Sequence, residues 1–153
     1  MATPNEKLAE SLQALRAIQS RSVAAIRSSD LTRTHRERLI KNGFLQEVMK
    51  GWYISTNPNS EPGETTPWYA SYWDFCAEYL NSRFGETWCL SPEQSLSLHA
   101  GNRTVPNQLI VRTPRGGNKP TGLIFNTSIF DLRSTMPLAR NVVEDDGLRL
   151  FAI

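Results

Sequence analysis

The sequence predicts an α+β chain in two parts, and three observations predict it. Residues 1–56 show helical spacing of apolar residues and then a short strand–turn–strand pattern. Residues 56–67, "TNPNSEPGETTP", hold Pro, Gly, Ser, Thr, Asn and Glu and no large apolar residue, which marks a linker. Residues 67–153 then alternate helix-like and strand-like runs. The expected division is 1–56, a linker at 57–66, and a small mixed α/β domain at 67–153.

The first helix is read at 6–19, where Leu8, Leu12, Leu15 and Ile18 make one apolar stripe. A second, shorter helix is expected at 22–29, "SVAAIRSS", with Val23 and Ile26 three apart. Residues 30–32 read as a turn, because Asp and Thr satisfy local backbone donors. A third helix follows at about 32–42. Thr34 and Glu37 fit a capping box, and Thr32 is a competing N-cap. Winding 31–42 at helical pitch puts Leu31, Leu39 and Ile40 on one side, with Thr32, His35 and Arg36 near them. Arg33, Thr34, Glu37 and Lys41 fall opposite, and Arg38 at the border. Asn42-Gly43 closes the helix. "FLQEV" and "GWYIS" then form a hairpin that turns at 49–51.

Beyond the linker, an aromatic-rich helix is expected at 68–82, with 69, 72, 73, 76 and 80 as its core stripe. "TWCL" reads as a buried strand. "SPEQSLSLHAG" reads as a helix with Ser91 as N-cap, Pro92 at N1, Gln94 in a capping box and Gly101 as the stop. "NQLIVRTP" and "GLIFN" are strands around a tight "RGGNKPT" connection. "SIFDLR" and "GLRLFAI" are the last strands.

Composition places the chain among folded proteins: 39% hydrophobic and 21% charged over 153 residues. No apolar run approaches the ~20 residues of a membrane helix, so no membrane partner is expected. "MATPNEKLAESLQ" has no apolar leader core, and two cysteines, Cys76 and Cys89, make no disulfide framework. A cytoplasmic location is expected. Residues 1–56 hold nine Lys/Arg and five Asp/Glu, a net +4, and residues 57–153 hold eight and ten, a net −2. A positive first third implies an anionic partner for that part.

Three short helices and a hairpin in this order predict a winged helix-turn-helix, with double-stranded DNA as partner. Arg33 and Thr34 are the candidates for base edges. Arg38 and Lys41 are candidates for phosphate contacts, as is Lys50, which projects beside Gly51 at the wing tip. Thr32 and Arg36 complete the DNA-binding set. Paired half-sites would make the protein a homodimer or a cooperative binder.

The run "SVAAIRSSDLTRTHRERLIKNGFLQEVMKGWYIS" resembles the N-terminal winged helix of AbiEi-type antitoxins, and "WCLSPEQSLSLHAG", "VPNQLIVRTPRGG" and "DGLRLFAI" resemble later pieces of that family in order. The resemblance implies a regulator that represses its own promoter and restrains a toxin. "EVMKGWYI", "TPWYASYWDFCAEYLN", "FGETWCLSPEQSLSLHAGN" and "TPRGGNKPT" also resemble the N-terminal extension of some bacterial Fic proteins. That likeness implies the alternative of a non-catalytic docking region, with a Fic-type nucleotidyl (AMP) transferase domain as partner in cis or trans. It also implies that the second domain is incomplete at its C-terminus.

No enzyme activity is expected of this chain. An H-P-F-x-x-G-N-G-R-like loop is missing, and neither His35 in "RTHRER" nor His99 in "SLHAGN" fits one. Ser91 or Ser95 with His99 and Asp74 would be a triad in composition alone, since Ser91 is explained as a helix cap. "RGGNKPT" lacks the phosphate-loop spacing, and the cysteines lack metal-ligand companions. No cofactor and no metal are expected.

Overall fold

A computed structural model describes residues 2–21, 24–59, 61 and 63–152. The chain is α+β and divides into two compact units, Met1–Ser71 and Tyr72–Ile153.

The first unit opens with α1 (Pro4–Gln19), which starts in a complete capping box: Thr3 Oγ1 accepts the Glu6 N–H, and Glu6 accepts the Thr3 N–H. Strand β1 (Ile26–Arg27) follows, then a single 3-10 turn (Ser28–Asp30), then α2 (Arg33–Lys41). The hairpin is β2 (Leu45–Met49) and β3 (Trp52–Ser55). The three strands form one antiparallel sheet in the order β1-β3-β2. Leu15 and Ile18 of α1, Ile26, Leu31, Leu39, Leu45 and Tyr53 make its core.

The helix expected at 22–29 is a correction. Ser22 and Val23 lie outside the described residues, but 24–29 are not α-helical. Ile26 and Arg27 pair with Tyr53 and Trp52 on the hairpin instead. The Asp30 carboxylate accepts the Arg27 N–H at 2.9 Å, and this local bond favours a turn over a continued helix. Strand pairing and the core position of Ile26 outweigh a weak two-point helical period.

The helix α3 (Thr66–Phe84) spans the boundary between the units. It buries Trp68, Tyr72, Trp73, Phe75, Cys76, Ala77, Tyr79, Leu80 and Phe84. Tyr69, expected in its core stripe, is 43% exposed. Burial covers more of this helix than one stripe, and Trp68 rather than Tyr69 takes the buried position of its first turns.

The second unit continues with β4 (Cys89–Leu90), α4 (Pro92–His99), β5 (Gln108–Thr113), β6 (Pro120–Gly122) and β7 (Ser128–Arg133). Ser91 caps α4 by accepting the Gln94 N–H at 3.2 Å, with Pro92 at the position where a missing N–H costs nothing. The four strands run in the order β4-β5-β7-β6. β5 and β7 are parallel, and β6 lies antiparallel on the far side of β7. The expected strand "GLIFN" is therefore shorter and earlier: beyond Gly122 the chain turns, with Phe125 and Asn126 at positive φ. A hairpin of β8 (Val142–Asp145) and β9 (Leu148–Phe151) completes the unit.

Candidate functional site

The residues singled out for DNA lie on α2 and at the β2–β3 turn. Thr32 is the N-cap of α2: its Oγ1 accepts the His35 N–H at 3.3 Å, and its backbone is extended at φ −65°, ψ 155°. The Thr34–Glu37 capping box does not form, because Thr34 is already inside the helix. Glu37 pairs with Arg33 instead, Nε to Oε1 at 2.8 Å, on side chains 82% and 62% exposed. That hydrogen bond holds the Glu37 carboxyl below its usual range and raises the Arg33 guanidinium. Such an exposed i,i+4 pair adds little to stability, but it presets where the guanidinium points.

The expected helical faces largely hold. Leu31 and Leu39 are buried, while Arg33, Thr34, Glu37 and Lys41 are exposed. Ile40 is the exception at 41% exposure. Arg36 is half-buried, and its Nη1 donates to the Ser28 carbonyl at 2.7 Å and to the Leu31 carbonyl at 3.3 Å. It ties the 3-10 turn to α2. Arg38, also half-buried, donates from Nη1 to the Lys7 carbonyl at 3.1 Å and to Ser11 Oγ at 3.0 Å. It ties α2 to α1. Ser11 Oγ lies 2.7 Å from His35 Nδ1, so one fully buried hydroxyl joins Arg38 and His35.

Ser11 was not singled out from the sequence. The available signal was its place beside the Leu8–Leu12–Leu15 stripe, where a polar residue needs a partner. Between the first turns of α1 and the outer side of α2 runs an open groove of about 480 Å³, whose lining includes Lys7, Leu8, Thr34, Arg38 and Lys41.

Lys50 is exposed at the hairpin turn, and Gly51 beside it has φ 86°. A positive φ is open to glycine at little cost. The Gly51 carbonyl accepts the Ser28 N–H at 2.9 Å, so the hairpin tip and the 3-10 turn are held together. Arg27 stands with its guanidinium carbon 5.1 Å from the centre of the Trp52 ring, a cation–π contact beside the hairpin turn.

Comparison of the chain with protein-family models, with curated proteins and with solved structures gives no match. The geometry therefore carries the functional argument.

Among the described residues, no group of three His, Cys, Asp or Glu is placed to hold a metal ion, and no helix is long and apolar enough to cross a membrane. His99 bonds through Nε2 to the Phe151 carbonyl at 2.6 Å. Ser91 accepts at the start of α4, and Ser95 Oγ accepts the Phe151 N–H at 3.1 Å. These three residues serve helix capping and the seating of β9.

Proposed function

We propose that the first unit is a winged helix-turn-helix that binds double-stranded DNA, within an antitoxin-like regulator that represses its own promoter and restrains a toxin or enzyme partner. The observation that carries this reading is the outer surface of α2 together with the hairpin tip. Arg33, Thr34 and Lys41 are exposed there, and Lys50 stands exposed beside a positive-φ glycine. Strand β1 and a single 3-10 turn stand between α1 and α2 in place of the expected second helix. β1 joins the hairpin that follows α2 in the order β1-β3-β2, which supports the same reading with the hairpin as wing.

In this reading Arg33 and Thr34 meet base edges, and Lys41 and Lys50 meet phosphates. Thr32, Arg36 and Arg38 act chiefly by starting α2 and fixing it against the 3-10 turn and α1. The Arg33–Glu37 pair favours a second reading, because it neutralises part of the exposed charge: α2 would then dock a protein, such as a Fic-type transferase domain.

Fluorescence anisotropy with labelled DNA from upstream of the gene, beside scrambled DNA, tests the proposal. Upstream DNA is expected to bind tens-fold tighter. Arg33→Ala should remove that preference, a loss of about 1–3 kcal/mol. Lys50→Ala should weaken both duplexes and reduce the salt slope by about one counterion. Absence of binding at low salt would overturn the DNA reading and leave the docking reading.

A further inference from the structure

Residues 101–140 carry six basic side chains, Arg103, Arg112, Arg115, Lys119, Arg133 and Arg140, and one acidic residue, Asp131. Within the second unit, Arg83, Arg115 and Arg133 gather around the loop that follows β5. That loop is fixed to β7. The Gly117 N–H donates to Asp131 Oδ2 at 2.8 Å, and the Asn118 N–H donates to the Asp131 carbonyl at 2.9 Å. Asn118 Oδ1 accepts the Arg133 N–H at 2.8 Å, and Arg133 Nε donates to the Gly116 carbonyl at 2.8 Å.

The carboxylate at this place is already committed. Asp131 is 3% exposed, and beyond Gly117 its Oδ2 stands 3.6 Å from Arg83 Nη2. The guanidinium carbons of Arg83 and Arg115 lie 5.0 and 5.9 Å from the centre of one ring, that of Phe84. Arg115 has a long 3.4 Å bond to Thr87 Oγ1. Of these three cations only Arg83 reaches the Asp131 carboxylate. Arg115 and Arg133 contact a hydroxyl, a ring and a carbonyl, and exposed Lys119 on the same loop adds a fourth cation. Like charges gathered this way repel, and an arriving anion relieves it.

The chemistry of the anion follows from what the cluster lacks. Phe84 is buried at 3% exposure, and Leu132, the exposed apolar residue next to Arg133, alternates to the face of β7 opposite Asp131 and Arg133. Protein interfaces centre on such an anchor, whereas a phosphate backbone asks for charge and donors alone. We propose that Arg83, Arg115, Arg133 and Lys119 form a sequence-independent contact for the phosphate backbone of duplex DNA. It rests on the DNA-binding reading above for its occupant.

The test uses the full chain and a labelled duplex of scrambled sequence, titrated at several salt concentrations. Sodium poly-L-glutamate serves as a second anionic probe. Arg115→Gln/Lys119→Gln is expected to lower the salt slope by about two counterions and the affinity several-fold at low salt. Lys119→Gln alone should lower the slope by about one, with no contact of the fold at stake. Arg115→Lys in the Lys119 background should keep the slope.

An unchanged slope in the double variant overturns the inference. If Lys50→Ala still lowers the slope in that case, the reading of α2 and the wing survives. If the wild-type chain binds neither this duplex nor the upstream duplex at low salt, both fall. If the double variant loses affinity for polyglutamate and not for DNA, the cluster is a docking site for an acidic protein segment, and the phosphate assignment is overturned.

Discussion

Arg33 and Arg36 stand three residues apart on one helix and do different work. Arg33 reaches solvent and is aimed by Glu37. Arg36 turns inward and supplies donors to two carbonyls of the turn before the helix. Residue type does not separate them, but helical phase does: the wheel puts Arg36 near Leu39 and Arg33 away from it. Arg36→Ala would leave the Ser28 carbonyl of the 3-10 turn and the Leu31 carbonyl after it without this donor and is expected to cost about 1–2 kcal/mol. Urea denaturation checks it, and Arg33→Ala in the same assay should stay within about 0.5 kcal/mol of wild type. Gly116 offers a second residue-scale case. A Cβ there would stand 2.6 Å from the Asp131 carbonyl oxygen and 2.8 Å from the Arg133 nitrogen, both backbone atoms of a paired strand. Gly116→Ala should therefore cost about 1–3 kcal/mol or more, read as a lowered thermal midpoint, while Gly122→Ala, with open space around it, should cost little.

At the scale of elements, the start of α2 decides between two caps that the sequence allowed. Thr32 has the extended backbone and the bond to the His35 N–H. Thr34 is one residue inside the helix, where its hydroxyl caps nothing. Thr32→Ala should destabilise the first unit by about 1 kcal/mol, and Thr34→Ala should leave stability near wild type while reducing preference for upstream DNA. Equal losses of stability would contradict the assignment. The long, strongly periodic elements were legible: α1, α2, the hairpin, α4, β5 and β7 lie within a few residues of their expected places. The segment 24–30 was not, because its structure comes from partners far along the chain. Ile26 finds Tyr53, and Ser28 finds Gly51. Strand β8 gave no sequence signal either, since "VVED" alternates poorly and takes its form from pairing with β9. The candidate site was legible as a set of exposed cations on α2 and at the turn. The struts beneath it, Ser11 with Arg38 and Arg36 with the 3-10 turn, were not, because such bonds join residues of different elements.

For the molecule as a whole, the second unit holds titratable groups where water does not reach. Cys76, Cys89 and Tyr72 are each fully buried. Burial pushes the Cys89 thiol up to about 11, against the opposite pull of Arg149 and Arg112. Burial likewise raises the Cys76 thiol and the Tyr72 phenol. These groups are acids whose folded form keeps the proton longer than the unfolded chain does. Their contribution is whole below the unfolded thiol value of about 8.5 and is lost as pH rises toward the folded value. The unfolded chain binds fewer protons through that window, so stability must fall with pH there. Urea midpoints are thus expected to stay level from about pH 7 to 8 and to decline from about pH 9 to 11. Each thiol contributes a slope of about 1.4 kcal/mol per pH unit, and Cys89→Ser should make the decline shallower. A thiol reagent at pH 8 should label neither cysteine in the folded chain and both in urea, because reaction needs an accessible thiolate. A midpoint constant to pH 11, or ready labelling of the native chain, would mean that water reaches these thiols and that the packing around α3 and β4 is looser than the buried Cys76 and Cys89 imply.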